Sequence, residues 1–506
     1  MNKKTFITIV TFILVIILFH YIHLLGMGNT LDFNWNYNNS LQIANGLLPY
    51  KDISIITTPL LHFTCALFML IFGQKIIVYS IFLSIMKGIF ILLMIGTARA
   101  LSEKIKCDNK SLISIITFIV GVVLFVFRYY EYNYLAVSFL LLIIIVELRN
   151  KESVKKELLI GLFAALSILS KQSIGATVAL FTIIKTLIFD KRDKYKRILY
   201  RAIGLTIPLF VFLIYLLLTN TLGDFISYCI LGLKEFNNNV SLLYAIKEGD
   251  LIVNIFFISS IIFVIVSILY LLYLLLIKKK QINKTYLMVF FYSLSTLICI
   301  YPICDSHHFY PVVCAFTPLI ICPIAFNKGE NKRLIKYLNI IVFVSIAVVL
   351  TRLVLYYNDI KTNNATDKFA YLDSNYGNLE GMIIRKSTKE SIDKIIELEL
   401  EEEKNNTEVI IMSKNSVMYH IVRNKYIKDF DLFMKGNFGN NGEKKLIDYI
   451  KTNKNKIYLI GKVDITKDDS NEINYYQIPT KVISYTINNL SCNEEIDLYI
   501  ICKYIE

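Results

Sequence analysis

The sequence predicts a polytopic α-helical membrane protein of about 11 spans, with juxtamembrane helices on the outer side and a C-terminal extracytoplasmic α/β domain. Of the 506 residues, 55% are apolar and only 19% are charged. The mean hydropathy of +0.53 excludes a disordered chain and an ordinary soluble enzyme. Two further observations complete the prediction: the apolar residues gather in long runs, and the composition becomes polar from residue 358 onward.

The apolar runs define the spans, since crossing a bilayer takes about 17–25 residues. The predicted spans are 6–26, 77–98, 112–127, 134–148, 158–173, 174–189, 203–219, 251–277, 285–303, 309–326 and 335–357. The first run follows Lys3 and Lys4 and has no small-residue cleavage site after it, so we interpret it as a membrane anchor. The apolar stretch 59–73 is too short to span and is predicted to be a helix in the outer interface.

Basic residues set the predicted topology. Residues 1–357 contain 33 Lys and Arg residues against 16 Asp and Glu residues. Five short loops and the N-terminal pair contain 24 of these basic residues, and the alternate loops contain six. The basic loops are 99–110, 149–156, 191–201, 278–284 and 328–336. By the positive-inside rule the N-terminus is cytoplasmic and the C-terminal region lies outside.

Two domains are predicted from the change in composition. Residues 1–357 form a transmembrane catalytic domain, which includes a first outer loop at 27–76 and a lid-like outer loop at 220–250 that contains a helical stretch over 225–236. Residues 358–506 combine the charged helical stretch Glu397–Lys404 with the apolar runs Val409–Met412 and Ile457–Ile460 and a turn cluster over 436–442. This alternation predicts a small α/β domain. A Cys492–Cys502 disulfide is expected only if this domain faces an oxidising compartment.

The first outer loop contains the leading catalytic candidate. Asp32 follows the first span, and Asp52 and the single tryptophan, Trp35, lie further along the same loop. A carboxylate at the membrane surface can act as a general base toward an acceptor hydroxyl. The alternative is that the Asp and Asn residues of this loop only cap helices.

The second and third candidates lie in other outward loops. Arg128, Glu131 and Asn133 occur among four tyrosines in the sequence RYYEYNY. An aromatic belt with an ion pair explains the tyrosines, but it explains Glu131 and Asn133 less well. Lys171 and Gln172 separate two apolar runs, where a lysine needs an anionic partner, such as a phosphate, or a route to the headgroups.

The fourth candidate is the short connection before the predicted span 309–326. It places Asp305, His307 and His308 at the outer surface. Aspartate and histidine are residue types that bind zinc. The spacing of these three residues matches no zinc pattern, so no metal site is predicted. They are predicted to contact the donor substrate, with a polar helix cap as the competing interpretation.

The first outer loop resembles that of GT-C membrane glycosyltransferases, and most closely that of the bacterial relatives of protein O-mannosyltransferases and lipid A aminoarabinose transferases (glycosyltransferase family 39-like proteins). The resemblance rests on Asp32, on the sequence Gly46-Leu-Leu-Pro-Tyr-Lys-Asp52, and on the helix from Pro59 to Gly73. Many members have a second acid after the first Asp, and this sequence has Phe33 there. The Lys-Gln-x-x-Gly turn at 171–175 recurs in the same group.

The resemblance implies a glycosyltransferase that moves a hexosyl or pentosyl group from a polyprenyl-phosphate donor to an unknown glycan, lipid or protein acceptor at the outer face of the cytoplasmic membrane. Asp32 is then the general base and Glu131 its catalytic neighbour. Substrate-binding roles fall to the remaining candidates: Asp52, Arg128, Asn133, Lys171, Gln172, Asp305, His307 and His308. The resemblance implies no cofactor. A divalent cation stays an option, but no ligand pattern in the sequence supports it.

Three other functions stay open. A polymerase or ligase of lipid-linked glycans would use the same donors, but arginines rather than an early Asp are expected in its large outer loop. A transporter or flippase of lipid-linked sugars is expected to have acids at mid-membrane. The predicted spans have none there, since Glu147 lies near a cytoplasmic end. A non-catalytic scaffold would not depend on the outer carboxylates. The sequence has no P-loop, dinucleotide fingerprint, HExxH or GxSxG motif, and its basic excess indicates no nucleic-acid partner.

Overall fold

The computed structural model describes residues 3–25, 31–106, 110–125, 128–190, 192–235, 242–247, 251–272, 283–301, 303–326, 351, 354, 369–413, 416–462 and 479–504. These residues form two compact units. The first unit comprises 1–20, 83–214 and 239–357, and the second comprises 21–82, 215–238 and 358–506.

Apolar helices, most of them long, make up the first unit. Their bounds are α1 Lys3–Leu25, α4 Ile76–Lys104, α5 Lys110–Phe125, α6 Tyr132–Arg149, α7 Val154–Ser170, α8 Gln172–Phe189, α9 Lys194–Leu218, α11 Leu242–Lys247, α12 Leu251–Leu272, α13 Lys284–Leu294 and α14 Ser306–Phe326. A 3-10 turn, Ser295–Ile300, extends α13. Helices α1, α4 and α9 contribute residues to both units.

The helices follow the predicted spans to within a few residues, except that α9 begins at Lys194 rather than at 203. By length and composition, four helices within the described residues can cross a membrane: α4, α6, α8 and α9. Helix α9 leaves large apolar side chains such as Phe210 and Val211 exposed, as a bilayer-facing helix does. The chain is therefore a helical membrane protein. The total of 11 spans stays a prediction, because the span at 335–357 and the loop at 328–336 lie outside the described residues apart from 351 and 354.

Glycines allow α7 and α9 to pack closely. A Cβ on Gly161 would lie 2.0 Å from the carbonyl oxygen of Arg201, and a Cβ on Gly204 would lie 2.2 Å from that of Leu158. No side chain fits at either point. Small residues at such crossings let two membrane helices approach until their backbones touch.

A buried ion cluster joins the ends of four helices. Glu147 on α6 lies 2.9 Å from Lys156 on α7, 2.9 Å from Lys185 on α8 and 2.8 Å from Arg201 on α9. The hydroxyl of Tyr292 on α13 donates a hydrogen bond to the same carboxylate over 3.1 Å. Because each partner comes from a different helix, this carboxylate fixes their arrangement.

The second unit contains the first outer loop. Helix α2, Leu31–Ala44, packs against α3, Leu60–Phe72. The helix predicted over 59–73 thus exists over 13 residues, and its side chains Leu67, Leu70 and Phe72 are exposed. Its place in the outer interface stays a prediction. The helical stretch predicted within 220–250 is also present, as α10 Leu222–Phe225 continued by a π-helix, Ile226–Leu231, and a 3-10 turn, Gly232–Glu235. Residues 236–241 and 248–250 of that loop lie outside the described residues.

Short strands and amphipathic helices form the rest of the second unit. The strands are β1 Phe369–Tyr371, β2 Ile383–Arg385, β3 Glu408–Met412, β4 Lys456–Gly461, β5 Ser491–Ile496 and β6 Tyr499–Lys503. The helices are α15 Lys386–Glu403, α16 Ser416–Arg423, α17 Gly442–Thr452 and α18 Thr480–Asn489. The predicted strand-like runs and charged helical stretch are all found.

The main sheet has the strand order β3-β4-β6-β5. Strands β3 and β4 are parallel, with Ile410 opposite Tyr458, whereas β4–β6 and β5–β6 are antiparallel. The parallel pair requires a crossover connection, which α16 and α17 supply. Apolar residues of the strands and of the turn around Phe433 form one buried core. Cys492 and Cys502 are joined by a disulfide across β5 and β6, so the pairing left open by the sequence is present.

The polar C-terminal region packs on the first outer loop. Ser54 Oγ donates to Asp429 Oδ1 over 2.7 Å, and Lys428 Nζ donates to the carbonyl oxygens of Tyr50 and Lys51 over 2.7 and 2.6 Å. The unit that contains residues 358–506 therefore also contains 21–82 and 215–238, whereas the sequence assigned those loops to the domain of the spans. The functional division at residue 358 stays a prediction.

Candidate functional site

Eight of the ten predicted site residues belong to the first unit: Arg128, Glu131, Asn133, Lys171, Gln172, Asp305, His307 and His308. They come from three connections that are far apart in sequence. The connection before α6 supplies the first three, the break between α7 and α8 supplies two, and the start of α14 supplies the last three. Asp32 and Asp52 belong to the second unit.

Arg128 joins the second outer loop to the start of α14. One guanidinium nitrogen lies 2.6 Å from His307 Nε2, and another donates to Ser306 Oγ over 2.5 Å. The guanidinium also lies over the ring of Tyr310, 4.9 Å from its centroid. Because an arginine only donates, His307 Nε2 must accept, and this imidazole is neutral with its proton on Nδ1.

The charge of Arg128 is buried, and its hydrogen-bond partners His307 and Ser306 are neutral. The residue is 9% exposed, and no carboxylate in the described part of the chain lies within 4.0 Å of its guanidinium. Its Nε is buried without a hydrogen-bond acceptor among the same residues. A buried cation with no carboxylate at ion-pair distance is costly, so this position suits an anionic ligand.

Glu131 precedes the first residue of α6 and is held by Asn133. Asn133 Nδ2 donates to Glu131 Oε1 over 2.6 Å, and both side chains are buried. The Glu131 carboxylate does not cap its helix. The amide of Asn133 therefore orients one carboxylate oxygen.

Asp305 caps α14 and orients His308. Its Oδ1 accepts the backbone N–H of His308 over 2.9 Å and lies 2.7 Å from His308 Nδ1. Burial by itself raises the pKa of Asp305, but the interactions with His308 outweigh burial and hold that pKa well below its ordinary value. Asp305 is therefore ionised, and the polar-cap interpretation from the sequence is correct for this residue whatever further role it has.

Lys171 occupies a one-residue break between α7 and α8. Its backbone is extended, with φ −151° and ψ 113°, and its Nζ lies 4.5 Å from the ring centroid of Tyr132. Gly175 makes this turn possible, because a Cβ there would lie 2.1 Å from the backbone nitrogen of Ile168. The Lys-Gln-x-x-Gly pattern thus has a steric reason: only glycine lets α8 fold back against the end of α7. Gln172 begins α8 and is half-buried.

Electrostatic interactions join residues from these three connections. His308 interacts with Glu131 and Lys171 as well as with Asp305, and the same Glu131 and Lys171 act on the buried Cys299. The cations Arg128 and Lys171 and the acids Glu131 and Asp305 are therefore neighbours in one polar site at the ends of α6, α8 and α14.

Asp32 lies in the first turn of α2, where the helix dipole stabilises a carboxylate. The helix behind it is polar but buried. Asn34, Asn36 and Asn39 each have side-chain atoms without a hydrogen-bond partner in the described part of the chain, and Trp35 packs edge-on to His62 of α3 at 6.2 Å. Asn34, Asn36 and Asn39 therefore lie within α2 and do not cap it.

Asp52 stabilises the turn that contains it. Its Oδ2 accepts the backbone N–H of Leu48 over 2.9 Å, and its backbone N–H donates to the Leu48 carbonyl over 2.9 Å. Tyr50, at the corner, has a positive φ of 71°, and its hydroxyl donates to the Thr57 carbonyl over 3.0 Å. Asp52 thus has a structural task in addition to its predicted substrate contact.

The sequence did not identify the partners of the two cations. Ser306 lies in the same motif as His307, and Tyr132 and Tyr310 lie in the aromatic motifs, but nothing in the pattern marked them individually. Within the described residues, no group of three His, Cys, Asp or Glu side chains is arranged to hold a metal ion.

Comparison with known proteins gives no match to a family profile and none to a curated protein sequence. Solved structures do match. The apo structure of ArnT from Cupriavidus metallidurans superposes with a TM-score of 0.51 and 11% identity, covering 93% of this chain and 92% of that chain. The same ArnT bound to undecaprenyl phosphate gives a TM-score of 0.56 and 11% identity, covering 99% and 98%. The chain has the ArnT fold.

ArnT is a GT-C aminoarabinose transferase, so the GT-C fold predicted from Asp32, the Pro-Tyr-x-Asp turn and the helix at 59–73 is confirmed. Nearly the whole of both chains takes part, including the C-terminal region. At 11% identity the ArnT likeness establishes the fold and no residue role.

Proposed function

We propose that this protein is a glycosyltransferase that moves a sugar from a polyprenyl-phosphate donor to a cell-envelope acceptor at the outer face of the cytoplasmic membrane. Buried Arg128, with no carboxylate at ion-pair distance in the described part of the chain, is the observation that carries the proposal. The ArnT fold supports it, since one of the ArnT structures holds undecaprenyl phosphate.

The donor phosphate is the anion that Arg128 and Lys171 would receive. A lipid-linked donor keeps its charge at the headgroup level and its tail in the bilayer, so its transferase must present cations at a helix boundary. Arg128 offers a planar donor set and Lys171 a point charge. Both stabilise the phosphate as it leaves with the electron pair of the broken bond. We assign His307, His308 and Gln172 to the same donor side.

Asp32 is proposed as the general base on the acceptor side. The acceptor oxygen forms a bond to the anomeric carbon, the bond from that carbon to the phosphate oxygen breaks, and Asp32 takes the hydroxyl proton. This single displacement inverts the anomeric centre. Glu131, oriented by Asn133, and Asp52 support the acceptor, and residues 358–506 orient it.

The proposed topology puts the N-terminus in the cytoplasm and the C-terminal region 358–506 outside. The distribution of Lys and Arg supports it, and so does the Cys492–Cys502 disulfide, since such bonds persist in oxidising compartments. Labelling a cysteine placed at residue 32 from outside intact cells tests this. Labelling solely from the cytoplasm would overturn the whole proposal.

The test of activity begins with mass analysis of envelope glycans with and without the gene, which identifies the transferred sugar and its acceptor. The purified enzyme is then assayed with Asp32→Asn, which should lower transfer by about 10²–10⁴-fold while donor binding persists. Asp193→Asn, at an exposed position, is the matched control and should transfer normally. Undiminished transfer by Asp32→Asn would remove the proposed base and favour the polymerase or ligase, whereas translocation without transfer would favour the transporter.

A further inference from the structure

One face of helix α2 carries the proposed general base together with three buried polar side chains. Residues three and four positions apart share a face of an α-helix. In α2 this spacing joins four residues: Asp32, Trp35, Asn36 and Asn39. The last three are at most 2% exposed, and Asp32 is half-buried. We call these four residues the α2 face.

The buried members of the α2 face have five polar atoms without a hydrogen-bond partner among the described residues. These atoms are Trp35 Nε1 and both side-chain amide atoms of Asn36 and of Asn39. Outside the face, Asn34 and Asn38 each lack a partner for only one amide atom. A buried indole N–H usually has an acceptor, and buried polar atoms without partners are costly. The α2 face therefore suits a polar ligand.

Helix α3 brings His62 to the same face. The His62 ring lies edge-on to Trp35, with 6.2 Å between the ring centroids, and it interacts with the backbone of Asn36. That interaction occupies at most one ring nitrogen, and the other has no partner in the part of the chain that the structure describes. Burial lowers the pKa of His62 to about 4, so the imidazole is neutral, with one donor and one acceptor.

The mixture of donors and acceptors identifies the class of ligand. An anion would be received by donors alone and a cation by oxygens alone. Each amide of Asn36 and Asn39 offers both a donor and an acceptor, and so does neutral His62. A hydroxyl group has the same double character, because it donates one hydrogen bond and accepts others. The α2 face is therefore suited to a ligand with several hydroxyl groups.

The spacing along α2 fits a sugar ring. At 1.5 Å of rise per residue, Asn36 lies about 6 Å from Asp32 along the helix axis, which is the distance across one sugar ring. Asn39 lies about 10 Å from Asp32 along the same axis. A hydroxyl of the ring at Asp32 would thus leave the hydroxyls on its far side near Asn36 and Asn39. A serine or threonine side chain has a single hydroxyl and could not satisfy both amides.

We infer that the α2 face binds a sugar residue of the acceptor, so that the acceptor is a glycan or a glycolipid. The inference rests on the proposed function, which supplies a hydroxyl acceptor without its chemical class. One hydroxyl oxygen of this sugar bonds to the anomeric carbon of the donor. The bond from that carbon to the phosphate oxygen breaks, its electron pair leaves with the phosphate, and Asp32 takes the hydroxyl proton. Asn36, Asn39 and Trp35 hold the other hydroxyls.

The middle of the α2 face is covered in this structure. Asn36 and Asn39 are buried, whereas Asp32 near the start of the helix and Ile43 near its end are half-buried. An acceptor must displace the cover to reach the amides. Because the covered amides lack partners, hydroxyls that bind them recover free energy that the covered face does not have.

Binding is tested without any transfer reaction. Trp35 is the single tryptophan of the chain, so its fluorescence reports on the α2 face. The purified full chain in detergent is titrated with glucose, galactose and N-acetylglucosamine, and with serine amide and inorganic phosphate as probes without a sugar ring. At least one sugar should change the Trp35 emission in a saturable way, and neither of the other probes should.

Asn39→Ala removes both amide atoms and should raise the sugar concentration at half-saturation by about 10-fold. Asn45→Ala, at an exposed position beyond the end of α2, is the matched control and should leave it unchanged. The inference is overturned if no sugar gives a saturable change in the wild-type chain. It is also overturned if folded Asn39→Ala binds as the wild type does, which would leave the buried amides to water.

Analysis of the transfer product separates this inference from the proposed function and needs no variant. Mass analysis should find the transferred sugar on a hydroxyl of another sugar, and the rest of the product distinguishes a glycan from a glycolipid. Transfer to serine, threonine or a phosphate would overturn the inference but leave the glycosyltransferase standing. Absence of any transfer, together with saturable sugar binding at Trp35, would overturn the proposed function instead.

Kinetics distinguish binding from a structural role. Asn36→Ala and Asn39→Ala should each raise the acceptor KM by about 10-fold and leave the donor KM unchanged. An equal rise of both KM values with a lower Tm would show that the amides only support the fold, and would overturn the inference.

Discussion

The guanidinium of Arg128 lies 2.6 Å from Nε2 of His307, although 179 residues separate them. A cation paired with a neutral imidazole instead of a carboxylate keeps its full charge for a ligand. The pair also attaches the RYYEYNY loop to the first turn of α14, so the two motifs act as one structure.

Replacing Arg128 tests the donor site. Arg128→Gln should lower kcat/KM for the lipid-linked donor by about 10²-fold or more, because the leaving phosphate loses a charge-assisted partner. Arg128→Lys keeps the charge but cannot reach both His307 and Ser306, so its activity should be intermediate. Arg192→Gln, at an exposed position, serves as the control. Near-normal turnover by Arg128→Gln would contradict a phosphate role.

Replacing Gly175 tests the turn that presents Lys171. In Gly175→Ala the new Cβ would lie 2.1 Å from the Ile168 backbone nitrogen, so α8 must move. We expect donor KM to rise and the Tm to fall. Gly223→Ala is matched, since a Cβ there meets nothing within 4 Å, and it should leave both unchanged. Equal behaviour of the two variants would show that the close approach is unimportant.

Replacing Glu147 tests the ion cluster. Glu147→Gln leaves Lys156, Lys185 and Arg201 buried with one fewer anion, and we expect a loss of about 3–5 kcal/mol in the free energy of unfolding. Glu152→Gln is the control on the same cluster. The side chain of Glu152 is 76% exposed, so its loss should cost less than about 1 kcal/mol. Comparable Tm values for the two variants would refute the role of Glu147.

The positions of the helices could be predicted from the sequence, but the side-chain contacts between them could not. The reasons are physical. Apolar runs report which segments cross a bilayer, and the lysine at 171 correctly divided the nearly continuous run 158–189. A charge pattern does not report which side chains meet. The sequence indicates only that Glu147 lies near a helix end, because its three cations come from helices whose packing no local pattern encodes. The start of α9 was missed because its first turns are basic and amphipathic rather than apolar.

The candidate site was predictable to a similar extent. Unusual polar residues at span boundaries were the signal for Arg128, Glu131, Lys171 and Asp305, and the structure brings these together. The association of 358–506 with the first outer loop had no such signal, because hydrogen bonds between distant segments leave no periodicity in either one.

The disulfide gives a prediction about the C-terminal sheet. Closing a loop of 10 residues between Cys492 and Cys502 should contribute about 2–3 kcal/mol, so reduction should lower the Tm. The Cys492→Ser/Cys502→Ser variant should start lower and not respond to reductant. Mass analysis of the alkylated, unreduced protein from intact cells should find the two cysteines in one linked peptide. Finding both alkylated would place this sheet in a reducing compartment.

His420 on α16 gives a pH prediction. It is buried, and its Nδ1 accepts the backbone N–H of Ile427 over 3.3 Å. Burial lowers the pKa of His420 from 6.5 to about 4. Between these values the unfolded chain binds a proton that the folded chain does not. The free energy of unfolding therefore falls as pH decreases from 6.5 toward 4, by up to about 1.4 kcal/mol per pH unit.

His420→Asn retains an acceptor without a titrating group, so its Tm should depend less on pH across that window than the wild-type Tm does. Thermal unfolding at several pH values measures the difference. Parallel pH profiles for the two proteins would show that His420 titrates normally.

The hydrogen bond between Ser54 and Asp429 bridges 375 residues, which bears on biogenesis. Translation delivers residues 50–54 hundreds of residues before the segment that contacts them. Until that late segment emerges, Tyr50, Ser54 and their neighbours stay without their final contacts, so maturation of this part of the chain has to wait for the ribosome to finish. A nascent chain stopped before residue 424 would be inserted in the bilayer yet remain immature, and a quality-control protease would have its best opportunity in that interval.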